Sequence, residues 1–126
     1  KLISVDPFQK FQWDSFGLVV VEQIIKENKL SKSNHNWVSS YSHTFFSKKN
    51  NKYDFCFIDG DHSYEGTMID LEGCHNLLNK NGILVIDDVL HKDVKKSLYD
   101  FMSRNNGMYK KIENDLKTMT GYIKLK

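Results

Sequence analysis

Two hydrophobic periods alternate along this chain. Short apolar runs at Leu2–Val5, Phe55–Ile58 and Ile83–Ile86 have the length and residue types of strands. Between them, apolar residues recur at helical spacing. Val94, Leu98, Phe101 and Met102 stand at i, i+4, i+7 and i+8. Tyr64, Met68, Leu71, Cys74 and Leu78 mark a second such face, and Trp13, Val20, Val21, Ile24 and Ile25 a third. The pattern predicts strands over about 2–6, 36–41, 53–59, 82–88, 108–113 and 118–125, and helices over about 13–28, 42–49, 64–79 and 91–105. Ser63 is placed to cap the helix that starts at 64, with Glu65 favourable in its first turn. Asn81-Gly82 supplies the turn that ends this helix and opens the next strand. The last two strands, split by Glu113–Asp115, read as a terminal antiparallel hairpin.

Strand alternating with helix argues for an α/β fold, a mostly parallel sheet covered on both faces. The unbroken apolar character of 55–58 and 83–86 fits central strands of such a sheet. Both runs stop abruptly at carboxylates. The first ends at Asp59, Asp61 and His62, the second at Asp87 and Asp88. Ligands of open α/β sheets bind in the crevice outside the carboxyl ends of parallel strands. Adjacent strands would bring four carboxylates and an imidazole to one edge, a density that points to a functional site.

Composition narrows the partners. A chain of 126 residues is at most one domain, 1–126. The formal charge of +2 is too small, and the lysines too scattered, to imply a polyanionic partner, and no basic stripe favours nucleic acid. No apolar run approaches the ~20 residues of a membrane helix, and no signal peptide is seen. Cys56 and Cys74 read as buried free thiols, which fits a reducing, cytoplasmic setting. The chain enters a strand at once from Lys1, so the expectation is an N-terminally incomplete domain. Homo-oligomerisation stays open.

Three blocks of residues resemble the class I S-adenosylmethionine-dependent methyltransferases, in their small O-methyltransferase-like branch. They are Ser4-Val5-Asp6-Pro7-Phe8-Gln9 followed by Trp13 and Gly17-Leu18; Tyr53-Asp54 through Asp59-Gly60-Asp61-His62-Ser63-Tyr64-Glu65-Gly66 with Asp70-Leu71; and Leu77 to Gly82 through Ile86-Asp87-Asp88-Val89. The family usually has two glycines before that last strand; Asn81 stands in for the first. The family's first strand and its glycine-rich cofactor loop are expected upstream of Lys1. The resemblance implies a Rossmann-like methyltransferase sheet, mostly parallel with a C-terminal antiparallel hairpin.

The resemblance also implies a site. Asp6 would accept hydrogen bonds from the two ribose hydroxyls of S-adenosylmethionine, a task suited to an acceptor-only carboxylate; the alternative is a solvated strand-end residue capping the Pro7 turn. Phe8 would flank the adenosine or pack in the core. The loop at Tyr41 and Ser42 would hold the adenine, although Ser42 equally suits a helix N-cap. Asp59, Asp87 and Asp88 would bind Mg²⁺, which prefers oxygen ligands. Asp59 could instead contact the cofactor or cap the next helix, with Asp87 and Asp88 capping another. His62, three residues after Asp59, is the candidate general base, with a helix-start structural histidine as the alternative. Asp61 would orient His62 or touch the cofactor. His91 is a second candidate base. The expected activity is methyl transfer to a hydroxyl of a small molecule such as a sugar, assisted by Mg²⁺. The alternatives are a metal-independent enzyme and a non-catalytic binding module.

Overall fold

The computed structural model describes residues 2–7, 26, 35–48, 51–113 and 116–126. Phe8 lies outside the described residues, as does the helix expected over 13–28 apart from Lys26. The chain divides into two compact units, Lys1–Lys48 and Lys49–Lys126.

In the first unit, β1 (Leu2–Asp6) and β2 (His35–Ser39) form a parallel pair, in register from Leu2 opposite His35 to Asp6 opposite Ser39. The Ser40 N–H extends the pairing by donating to the Asp6 carbonyl at 3.0 Å. Helix α1 (Ser42–Lys48) follows, and its Phe45 is buried.

The second unit holds β3 (Tyr53–Ile58), α2 (Tyr64–Leu77), β4 (Leu78–Ile86), α3 (Lys92–Arg104), β5 (Tyr109–Ile112) and β6 (Thr120–Lys124). Its sheet has the order β3-β4-β6-β5. β3 and β4 run parallel, whereas β6 lies antiparallel to both β4 and β5. The predicted hairpin is therefore present, and its second strand is the one that joins β4. Side chains alternate across a strand. On one face Ile58, Leu84 and Ile86 are buried together with Leu71 of α2 and Val94 and Phe101 of α3. The other face carries Phe55, Phe57 and Ile83, which are exposed among the described residues of this unit.

One boundary differs from the sequence expectation. The helix predicted to run to 79 stops at Leu77, and β4 begins at Leu78 rather than 82. Leu78 is extended, at φ −79° and ψ 131°, while its N–H still bonds the Cys74 carbonyl. Pairing with β3 then jumps from Tyr53–Leu78 to Phe55–Ile83, so β4 takes five steps where β3 takes two. Asn81 sits in the resulting bulge in the left-handed region at φ 65°, which Asn tolerates better than most residues. A Cβ on Gly82 would come within 2.7 Å of Leu78 Cδ1, so the bulge needs glycine there. Asn81-Gly82 shapes the bulge and does not stop the helix. The predicted strand 82–88 likewise ends early, at Ile86.

Lysines from elsewhere close the end of α2. Lys124 of β6 donates through Nζ to the carbonyls of His75 (2.7 Å) and Leu78 (2.9 Å), and Lys52 donates to Asn76 O (2.6 Å). Cations suit the last carbonyls of a helix. Lys124 is buried, and that burial holds its ammonium below the usual lysine pKa. Lys124→Met keeps the stem and removes two charge-assisted hydrogen bonds. It should cost about 1.5–3 kcal/mol, seen as a fall of roughly 5–10 °C in thermal unfolding. An unchanged midpoint would show that water replaces the ammonium at no cost.

Candidate active site

β3 and β4 end side by side, with Ile58 opposite Ile86. The Asp87 N–H donates to Ile58 O at 3.0 Å, which brings the residues after each strand to one edge. After β3 the chain runs through Asp59-Gly60-Asp61-His62 into α2. Ser63 caps that helix: its Oγ accepts from the Gly66 N–H at 3.0 Å. Asp61 is part of the same capping structure. Its Oδ1 accepts from the Ser63 N–H and its Oδ2 from the Ser63 hydroxyl, each at 2.9 Å, and these bonds hold its carboxyl below the usual pKa. Thr67 donates to the Asp61 carbonyl at 3.1 Å. A Cβ on Gly66 would lie 2.6 Å from Asp61 Oδ2, so glycine permits this closure. The 59–63 loop is therefore fixed to the start of a packed helix.

After β4, Asp88 takes φ 52°, a left-handed conformation in which an Asp is uncommon but tolerated. Asp87 Oδ1 accepts from the Asp88 N–H at 2.7 Å. The His91 N–H donates to Asp88 O at 2.8 Å, and the Val89 N–H to Thr118 O at 2.9 Å. This turn directs the Asp88 carboxylate at His62, with His62 Nε2 2.9 Å from Asp88 Oδ2 and both side chains 45% exposed. The His62 and His91 rings lie 5.4 Å apart at 39°. A small pocket beside them is lined by Asp59, Asp61, His62, Thr67 and Asp87, with Ile58 and Ile86 beneath.

Ligand atoms of Asp59, His62 and Asp88 all lie within 4.8 Å of one another. The two carboxylates suit a hard divalent cation such as Mg²⁺ or Mn²⁺, whereas an imidazole bound to the ion would have no lone pair left for a proton, so ligand and base are alternative roles for His62. Of the three carboxylates named from sequence, Asp59 and Asp88 are in this group. Asp87 lines the adjacent pocket and has one oxygen on the backbone. An imidazole whose Nε2–H is held by a carboxylate keeps a free lone pair on Nδ1, the arrangement of an oriented general base. The Thr118 carbonyl that anchors the turn had no sequence signal.

Of the cofactor residues expected in the first unit, Asp6 ends β1, and Tyr41 and Ser42 follow the end of β2. The Asp6 carbonyl is tied to Ser40. Tyr41 is half exposed and its ring stacks on His43 at 5.6 Å. The Tyr41 carbonyl accepts from the Phe45 N–H, so α1 starts at Ser42, one residue past the cap position.

Residues 1–89 match the family described as "Methyltransferase domain". No curated protein matches the sequence. Among solved structures, the chain resembles the O-methyltransferase NovP (TM-score 0.66, 13% identity, 84% of this chain and 44% of that one). It also resembles CalS11, a TDP-rhamnose 3′-O-methyltransferase of calicheamicin biosynthesis (TM-score 0.66, 11% identity, 97% and 57%). SMU.1697c of Streptococcus mutans, crystallised with SAH, has a TM-score of 0.72 at 11% identity, over 99% and 76%. Structures named as rRNA methylases share the fold too. The chain thus spans about half the length of the first two enzymes. At these identities the likeness establishes the Rossmann-like fold. Among the described residues, no helix is long and apolar enough to cross a membrane.

Proposed function

Since the chain belongs to the methyltransferase-domain family, we propose that it carries the strand-end catalytic site of an O-methyltransferase that moves the methyl group of S-adenosylmethionine to a hydroxyl of a small acceptor, a sugar being the favoured class. The observation that carries this reading is the His62–Asp88 pair, 2.9 Å apart beside Asp59. The acceptor oxygen attacks the methyl carbon in line. The new C–O bond forms as the C–S bond breaks, its electron pair leaves on sulfur, and S-adenosylhomocysteine departs. The acceptor proton passes to His62 Nδ1, and the Asp88 carboxylate stabilises the imidazolium. The sulfonium needs little activation, so alignment does most of the work; orientation alone can supply ~7–11 kcal/mol. A divalent cation held by Asp59 and Asp88, with Asp87 nearby, would lower the pKa of the acceptor hydroxyl. Asp6 would accept the ribose hydroxyls, Phe8 would flank the adenosine, and Tyr41 and Ser42 would hold the adenine. Asp61 serves through the loop it closes. NovP and CalS11, both named as O-methyltransferases, favour a hydroxyl acceptor and, through CalS11, a sugar.

Calorimetry of the protein with S-adenosylhomocysteine tests the cofactor half of this reading. Micromolar binding is expected. Asp6→Ala should weaken it by about 10–100-fold, the loss of one or two hydrogen bonds to a charged group. Absence of heat would favour a non-catalytic module. Methyl transfer from labelled S-adenosylmethionine to a panel of nucleotide sugars tests the acceptor half, and transfer to RNA alone would overturn it.

A further inference from the structure

We propose that His91 is a positioning residue for methyl transfer, its ring forming the wall that keeps the His62 imidazole turned with Nε2 toward Asp88. This rests on the reading of His62 as general base, and it gives His91 a role other than that of a second base.

The argument starts from a local rule that the sequence breaks. His91 occupies the N-cap of α3, at φ −65° and ψ 132°, and makes no side-chain cap bond. Ser, Thr, Asp and Asn are the residues that satisfy this position. The neighbouring helix has one, since Ser63 takes the Gly66 N–H. α3 forgoes that bond, and a position that departs from local preference without local gain points to function. The ring lies 5.4 Å from the His62 ring, tilted by 39°. The backbone makes the contact reproducible. The turn from Asp88 to His91 is closed by the His91 N–H on Asp88 O. Its second residue is pinned by Val89 N–H on Thr118 O, and its last starts α3 through Lys95 N–H on His91 O. One short turn thus delivers both partners of His62, the carboxylate from its first residue and the flat ring from its last.

His62 needs such a partner. Its side chain is 45% exposed, and its bond to Asp88, the one it makes among the described residues, leaves rotation about that bond's axis unchecked. A base that swings does not hold Nδ1 at the acceptor hydroxyl, and such misplacement slows catalysis steeply.

The test separates ring packing from helix stability and from proton transfer. His91→Ser gives α3 an ordinary cap, so its thermal midpoint should rise by a few degrees while kcat falls about tenfold at unchanged KM for S-adenosylmethionine. His91→Phe keeps the flat ring and should hold kcat within about twofold. Histidine ¹⁵N spectra in EDTA give a readout without activity. The parent and His91→Phe should show His62 as one tautomer with the proton on Nε2, and His91→Ser should show averaging. A fully active His91→Ser, a His91→Phe as slow as His91→Ser, or identical His62 spectra in all three would each overturn the proposal. If the parent protein transfers no methyl group, the base assignment fails, and the spectra still decide the positioning.

Discussion

His62→Gln should slow methyl transfer by about 10²–10⁴-fold, the range in which a positioned general base contributes. Glutamine can still donate to Asp88 through its amide, so the local hydrogen bond survives, but it cannot take a proton. His62 is 45% exposed, so stability should move by less than about 0.5 kcal/mol. Affinity for S-adenosylhomocysteine should stay within about twofold, because a base acts on the acceptor and not on the cofactor. Rates and calorimetry on the same preparation separate these effects. A variant that keeps most of its activity would return His62 to the role of a helix-start histidine.

The second large effect concerns the cation. Methyl transfer should vanish in EDTA and return with Mg²⁺ or Mn²⁺, and Asp59→Ala should shift the cation concentration it needs upward by at least about tenfold. Asp59 supplies one of the three ligand atoms that lie within 4.8 Å of each other. Two charged ligands give a hard cation most of its hold, so removing one should raise its dissociation constant by at least about tenfold. Activity that persists in EDTA would identify a metal-independent enzyme in which Asp59 and Asp88 act on the protein itself.

The sequence announced the strand-end site because two apolar runs stop at carboxylates, and a parallel pair in register brings their ends together. The Ser63 cap was legible for the same reason, since it is local. What escaped was non-local. Lys124 caps α2 across 49 positions, and no window of sequence carries that signal. β4 begins at Leu78 because Tyr53 of another strand pairs there, while Asn81-Gly82 looks like a helix stop when taken alone. The division of labour among the carboxylates depended on backbone angles. The left-handed Asp88 turns toward His62 while Asp87 reaches back to the Asp88 N–H. Asp61 had a legible alternative in the Asp-x-Ser spacing, where a short acidic side chain bonds its own backbone two residues on.

The central claim is that His62 and Asp88 act as one unit on the acceptor proton. A double-mutant cycle tests it most directly, with kcat measured for the parent, His62→Gln, Asp88→Asn and the double variant. Asn tolerates the left-handed backbone at 88 and still offers an amide oxygen to the cation, which is kept saturating, so the cycle reads the loss of the carboxylate from the base and not strain. The account predicts that the double variant is no slower than His62→Gln alone, since a carboxylate that serves the base has nothing left to support. Losses that multiply across the two positions would mean that the residues act independently, and would contradict it.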